Sequence, residues 1–373
     1  MAGLRKGIDN MPIKVLEVIP ELSTGGAEQV IVSYLEKLKD DADISARAVT
    51  FFKNKGRLWE KYAEETGLAV DYLDLPDEAN ALEIIRELRR YFEKNKPDVI
   101  HAHMQFVKKI CVASAFLPIR KYQTIHSDVS RIYSNKEAVI ERLYKKPAGF
   151  KTICLTDKMA READRLFGDG SLVLRNGIDL KKYKTDVRSE YRRKFGFDEN
   201  NFVIGHVGRF HEVKNHELLV KAFSEISRTD NTARLLLVGA GALMEKTKDL
   251  CRTLGCIENV LFLGERNDVP ELLQMMDLFA FPSRFEGFPV SLLEAQAAGL
   301  PCLVSDRITE EVLVSNRIKR LSPECGESEW AKAALEYRTF CYAPKYSLDD
   351  YSIDTITEEL KSIYLGQDQK NRK

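Results

Sequence analysis

Phe202-Val203-Ile204-Gly205-His206-Val207-Gly208-Arg209-Phe210-His211-Glu212-Val213-Lys214-Asn215-His216 is the stretch on which the fold reading turns. Its first six residues are mostly apolar, as in a strand covered on both faces. Gly208 opens a loop, and His216 to Ile226 then carries apolar residues at helical spacing. Strand, loop and helix in that order make half of a βαβ unit. The theme recurs downstream, with strands expected at Arg234 to Val238, Asn259 to Leu263, Leu278 to Phe281 and Cys302 to Val304. Helical patterns lie between them, at Leu243 to Leu254, Val269 to Met275 and Val290 to Ala298. It recurs upstream as well. Runs at Lys14 to Ile19, Ala46 to Phe51, Ala69 to Leu73, Asp98 to His101, Tyr122 to Ile125 and Thr152 to Leu155 alternate with helical patterns at Ala27 to Leu38, Asn80 to Asn95 and Asp157 to Phe167. The chain therefore reads as two α/β domains, each built on a parallel sheet.

A length of 373 residues suits two domains with separate cores. Lysine plus arginine and aspartate plus glutamate both number 57, so there is no global basic field and no nucleic-acid partner is expected. Seven cysteines without a CxxC pair fit a reducing compartment. No apolar run reaches the ~20 residues of a membrane span, and the start lacks a signal-peptide core. A cytoplasmic protein is expected, folded from about Met11. The domains are read as residues 11–180 and 181–346, with a terminal helix over 347–365. The lysines and arginines between Asp179 and Asn201 read as a solvated linker. In the last segment Leu348, Ile353, Ile356, Leu360 and Ile363 form one helical stripe.

In doubly wound sheets, ligands sit beyond the carboxyl ends of strands, so the loops after the apolar runs carry the candidates. Gly25 and Gly26 follow the first strand and let backbone approach a ligand at a helix start. His101 and His103 share one face of a strand, as metal ligands can, but no third ligand stands at a recognisable spacing, and no metal is expected. His101 reads as a packed sheet residue and His103 as cleft lining. His126 ends its strand and is the better candidate for bonding a substrate. Arg209 and Lys214 bracket the loop after Val207, where two cations can neutralise two linked phosphates. Gly239 and Gly241 suggest a weak nucleotide-binding turn, and Asp268 a helix cap. Pro289 suits the first turn of a helix, so amides near Gly287 and Phe288 can meet a phosphate while Glu286 and Glu294 accept bonds from hydroxyls. Two cations and two carboxylates in one domain describe a sugar nucleotide.

These residues also carry a resemblance. Gly208-Arg209 with Lys214, then Glu286 and Glu294 with seven residues between them, beginning Gly287-Phe288-Pro289, resemble the signature of the retaining glycosyltransferase family 4. Gly25-Gly26-Ala27-Glu28, Asn176-Gly177-Ile178-Asp179 and Tyr351-Ser352-Ile353 extend the likeness to nearly the whole chain. The resemblance implies the GT-B fold: two Rossmann-like domains facing across a deep cleft, with a C-terminal helix crossing back to the first domain. It implies that Arg209 and Lys214 hold the donor diphosphate, Glu286 the transferred sugar and Glu294 the ribose. It likewise implies that Gly25 and Gly26 approach the diphosphate and that His126 lies near the sugar. Arg175 replaces a proline frequent before the hinge, and Ser305 to Glu311 lacks a glycine frequent there.

By the same resemblance the donor is a nucleotide sugar, UDP by frequency within the family. The acceptor is a free or polyprenyl-linked saccharide in exopolysaccharide, capsule or lipopolysaccharide synthesis, and no cofactor or metal is needed. Phe106 to Ile110 and Arg131 to Lys146 mix apolar and basic residues, as a face on the inner membrane surface would. A dehydrogenase is disfavoured because no GxGxxG follows a strand. A nonhydrolysing sugar-nucleotide epimerase and a non-catalytic sugar-nucleotide-binding protein are the remaining alternatives.

Overall fold

The computed structural model describes residues 11–104, 106–339 and 346–367; the lead Met1 to Asn10 lies outside them. The chain divides into two compact units, the first running to Arg175 and resuming at Ile353, the second spanning Asn176–Ser352. The sequence reading set its divisions at 180/181 and 346/347. The contacts shift them because Ile178 donates its N–H to the Tyr351 carbonyl at 2.9 Å and bridges Ser352, so both crossing segments pair inside the second unit.

The first unit holds seven parallel strands: β1 (Ile13–Val18), β2 (Ile44–Phe52), β3 (Val70–Leu75), β4 (Val99–His103), β5 (Arg120–Ile125), β6 (Phe150–Cys154) and β7 (Leu172–Val173). Their order is β3-β2-β1-β4-β5-β6-β7. The second unit holds β8 (Phe202–Val207), β9 (Ala233–Val238), β10 (Val260–Gly264), β11 (Leu278–Phe281), β12 (Cys302–Ser305) and β13 (Ile318–Leu321), in the order β10-β9-β8-β11-β12-β13. Both contain the 3-2-1-4-5-6 arrangement of a Rossmann fold, with helices on the faces. The central strands are apolar because both faces are covered: Val15, Val18, Ile100, Leu235 and Phe279 are all buried.

The helix Ile353–Leu365 belongs to the first unit. It starts later than the apolar stripe suggested, because Leu348 precedes a short 3₁₀ turn, Asp349–Tyr351. Ile353, Ile356, Leu360 and Ile363 are buried, each contributing about 1.5–3 kcal/mol of gross hydrophobic free energy. Lys361 pairs with Asp41 and Asp43 at 2.8 and 2.9 Å.

Lys181, Lys182, Lys184, Arg193 and Lys194 of the basic segment after Asp179 are exposed, as a mostly solvated linker predicts, but Arg188 and Arg192 are structural. Arg192 is buried and donates to Asp277 at 2.6 Å and to the carbonyls of Met275, Asp198 and Asn201. Arg188 holds the other Asp277 oxygen at 2.5 Å. A guanidinium has five donors, and here they tie the first helix of this unit to the start of β8 and β11.

Candidate active site

The order of the second sheet reverses between β8 and β11, where a doubly wound sheet opens its crevice. The two loops leaving these strands are tied together. Arg284 donates its backbone N–H to the Val213 carbonyl at 2.8 Å, and Asn215 Nδ2 donates to the Pro282 carbonyl at 3.3 Å. Asn215 takes the left-handed backbone (φ 55°) that Asn tolerates, which turns the chain from the 3₁₀ stretch Glu212–Lys214 into the helix His216–Thr229.

Lys214 is thereby aimed across the crevice. Its Nζ lies 2.7 Å from Glu286 Oε1 and 4.9 Å from the centre of the Phe281 ring at the end of β11. The two side chains keep 17% and 15% of their exposure, so the pair is shielded yet reachable. Gly208 makes room: a Cβ there would stand 3.2 Å from Lys214 Cε and 3.0 Å from His206 Nε2. Arg209 is exposed in the same loop and has no ion pair among the described residues. The structure thus brings Arg209, Lys214 and Glu286 onto one pair of loops.

The helix Val290–Ala297 begins after Pro289. Gly287 is half-buried, while Phe288 is buried and stacks on Tyr351 at 5.9 Å. Glu294 is buried in that helix, and its Oε1 accepts the Tyr183 hydroxyl at 2.8 Å. Burial and Glu294 push the Tyr183 hydroxyl well above its usual range, so it stays a donor. Tyr183 was not foreseen; nothing in Lys-Lys-Tyr-Lys marks it. Ser283 Oγ and His206 Nε2 are buried without a hydrogen-bond partner among the described residues.

In this unit the glycine turn has a packing role, and the expected cap at Asp268 fails. Gly239 and Gly241 are committed to backbone packing: a Cβ on Gly239 would lie 2.2 Å from the Gly208 carbonyl oxygen, at φ +131°. They let the Gly208 loop approach its neighbour. Asp268 precedes a helix but does not cap it; its carboxylate takes the Arg266 guanidinium at 2.8 and 2.5 Å.

In the first unit Gly25 precedes the helix Gly26–Leu38 in extended backbone (φ −85°), and Gly26 is exposed. His126 stands just past β5, half-buried. His103 is not cleft lining but 1% exposed, and its Nδ1 lies 2.9 Å from His126 Nε2. The third partner that spacing could not reveal is Glu17. Pairing of β1 with β4 sets it beside His101, and its Oε2 lies 2.7 Å from His103 Nε2 and 3.2 Å from His101 Nδ1. Tyr364 of the terminal helix donates to Glu17 Oε1 at 2.6 Å. The signal available was an acid inside the apolar run Ile13 to Val18. Burial alone would raise the Glu17 carboxyl, but His101 and His103 outweigh it and hold the group well below the usual carboxylate range. Burial lowers His103 to about 4, helped by His101 and opposed by Glu17. Burial, with His103 and His101, likewise holds His126 well below its ordinary value. Glu17, His101 and His103 are a donor set that suits a divalent cation, their ligand atoms lying within 4.8 Å of one another.

Comparison with known sequences supports what this geometry suggests. Residues 24–182 match the sequence family "Glycosyltransferase Family 4", and residues 187–337 match "Glycosyl transferases group 1". The provisionally named glycosyltransferase EpsF of Bacillus subtilis (strain 168) is 29% identical over 334 residues, 86% of each chain. The capsular polysaccharide biosynthesis glycosyltransferase CapH of Staphylococcus aureus is 24% identical over 371 residues, 95% of this chain and 99% of its own. Among solved structures, Anabaena Alr3699/HepE in complex with UDP and glucose superposes with a TM-score of 0.77 at 18% identity, covering 95% of this chain and all of that one.

Two Rossmann-like units of this kind, with a terminal helix that belongs to the first, make up the GT-B fold. The chain belongs to the glycosyltransferases described by these two families, and its relatives include enzymes of capsular polysaccharide and lipopolysaccharide biosynthesis.

Proposed function

We propose that the protein transfers a sugar from a UDP-linked donor to a hydroxyl of a glycan or polyprenyl-linked saccharide, with retention at the anomeric carbon and without a metal. The observation that carries this reading is the shielded Lys214–Glu286 pair at the switch point of the second sheet. A diphosphate needs a fixed cation there, and a sugar needs a carboxylate beside it. The UDP nucleotide follows the relatives. One is a UDP-Gal:alpha-D-GlcNAc-diphosphoundecaprenol alpha-1,3-galactosyltransferase of Escherichia coli, 28% identical over 283 residues, and HepE was solved with UDP-glucose.

As the glycosidic bond to the β-phosphate breaks, negative charge grows on the leaving oxygen. Arg209, Lys214 and the amides around Gly287 and Phe288 stabilise it. The acceptor hydroxyl attacks the same face, and the leaving phosphate oxygen takes its proton. Glu286 bonds hydroxyls of the transferred sugar. Glu294, fixed by Tyr183, bonds the ribose. In the first unit the ligand-touching residues are Gly25, Gly26 and His126.

The test is a panel of sugar nucleotides with a mixed acceptor library, read by thermal shift and by mass spectrometry of released nucleotide and product. One UDP-sugar should stabilise the protein and be consumed, with turnover unchanged in EDTA. Consumption of a donor with no acceptor dependence and an epimerised sugar as product would favour the epimerase. Turnover lost in EDTA and restored by magnesium would refute the metal-free reading.

Peripheral attachment to a membrane is part of the proposal, on a narrower surface than the sequence suggested. Val107 and Ile110 are buried, and so is Lys145, whose Nζ pairs with Asp169 at 3.2 Å. The helix Asn135–Ala148 instead exposes Val139, Ile140 and Leu143 (59%, 36% and 68%) beside the exposed Lys136 and Lys146. Sedimentation with anionic liposomes at low salt should be lost on reversing Lys136 and Lys146 to Glu; absence of binding by the unaltered protein would refute it. No helix among the described residues is long and apolar enough to cross a membrane.

A further inference from the structure

The Glu17 cluster is a chain of hydrogen bonds with a single consistent direction. Tyr364 O–H donates to Glu17 Oε1 at 2.6 Å, so its oxygen is left to accept from His101 Nδ1–H at 2.5 Å. The far nitrogen of His101, Nε2, lies 2.7 Å from the Thr124 hydroxyl, which can donate to it or accept from it. On the other side a carboxylate can only accept, so His103 carries its proton on Nε2, 2.7 Å from Glu17 Oε2. Neutral His103 therefore presents Nδ1 as a lone pair, and His126, 2.9 Å away, must donate from Nε2. A neutral His126 is left with Nδ1 as an acceptor. One buried charge thus decides the tautomer of a ring two hydrogen bonds away.

We propose that Glu17 is a positioning residue for glycosyl transfer: through His103 it fixes His126 as the Nε2–H tautomer, whose Nδ1 accepts a hydrogen bond from a hydroxyl of the sugar ligand. This rests on the transferase reading above, since it needs His126 at the ligand. Tyr364 and His101 complete the chain and keep the carboxylate supplied with donors, so the terminal helix participates in setting the same ring. The consequence is selectivity by hydrogen-bond direction. An acceptor nitrogen welcomes a hydroxyl and gives no partner to the same position once methylated or deoxygenated. Cation binding by Glu17, His101 and His103 is the competing use of these atoms. It is disfavoured because each ring nitrogen and both carboxylate oxygens already have partners, and all three side chains are at most 1% exposed.

The decisive measurement is long-range ¹H–¹⁵N correlation on ¹⁵N-histidine-labelled protein, with His126 assigned from the His126→Ala spectrum. The unaltered protein should show His126 protonated at Nε2, and Glu17→Gln should show a mixture or the other tautomer. Glu17→Gln should lower kcat by about 10–100-fold, the range typical when a supporting partner is lost, with the donor KM within about twofold. His126 protonated at Nδ1 in the unaltered protein, or full kcat in Glu17→Gln, would overturn the proposal. So would one equivalent of zinc or manganese retained by the purified protein with His101 and His103 shifted as ligands. The tautomer of the unaltered protein needs no variant to fold. If no donor is turned over at all, the transferase reading fails, while the NMR result still decides the tautomer by itself.

Discussion

The two units share a strand order but differ at one equivalent position. The fifth residue of the central strand is Glu17 in β1 and His206 in β8. In the first unit the acid collects donors from two other elements, β4 and the terminal helix, and fills its surroundings with satisfied polar groups. In the second the histidine donates Nδ1–H to the Ala280 carbonyl at 2.8 Å and leaves Nε2 unpaired next to the Gly208 loop. His216, whose ring centre is 4.8 Å away, has no hydrogen-bond partner for either nitrogen among the described residues. The contrast is one of charge. The first unit encloses an anion with its own donors, whereas the second keeps neutral rings beside a cation, Lys214, whose partner Glu286 is still reachable. The proposed function assigns the missing charge there to the donor diphosphate.

Four measurements would break or sharpen this contrast. Glu17→Ala should cost about 3–5 kcal/mol in chemical unfolding, because it strands the donors of His103 and Tyr364 in the interior; a loss under about 1 kcal/mol would erase the distinction. Lys214→Ala should leave the fold intact and reduce turnover about 10²–10³-fold, the scale of removing one donor to a developing anion. Unchanged turnover would remove the cation from the argument. The third is acid titration of stability. The ordinary value for His216 is 6.5, and burial, with Lys214, lowers it to about 4 in the fold. Between those values the unfolded chain binds the extra proton, so stability should fall as pH drops, by up to about 1.4 kcal/mol per pH unit from this residue. His206, also held well below its ordinary value by burial and His216, adds in the same direction. The smallest effect is expected at pH 7.5 for His216→Leu: less than about 1 kcal/mol, since no hydrogen bond is lost, together with a flatter acid slope. A large loss at pH 7.5 would mean that His216 has a partner after all.

Most of the fold was legible because buried parallel strands are continuous apolar runs, and eleven of them could be read within a few residues of their observed limits. Two of the four edge strands, β7 and β13, escaped. Leu172–Val173 is two residues long, and Ile318–Leu321 carries Lys319 and Arg320 in its centre. The helix Asn135–Ala148 was missed because apolar residues lie on both its faces, Val139 and Leu143 outward and Ala138 inward, with Pro147 in its last turn. At the site, Arg209, Lys214 and Glu286 were legible because each lies in a short loop at a strand end. The Glu17 chain was not, since it depends on strand neighbours 86 residues apart and a helix residue 347 positions away.

That last separation has a consequence for synthesis. The polypeptide leaves the first unit at Arg175, builds the second in full, and returns only at Ile353. During translation the second sheet has all its strands before the first unit receives Leu360 and Tyr364, both buried to completion. Until then Glu17 lacks its phenol and the first unit shows the nascent chain's surroundings an uncovered apolar face. The second unit can therefore mature early, and the unit bearing His126 is finished last.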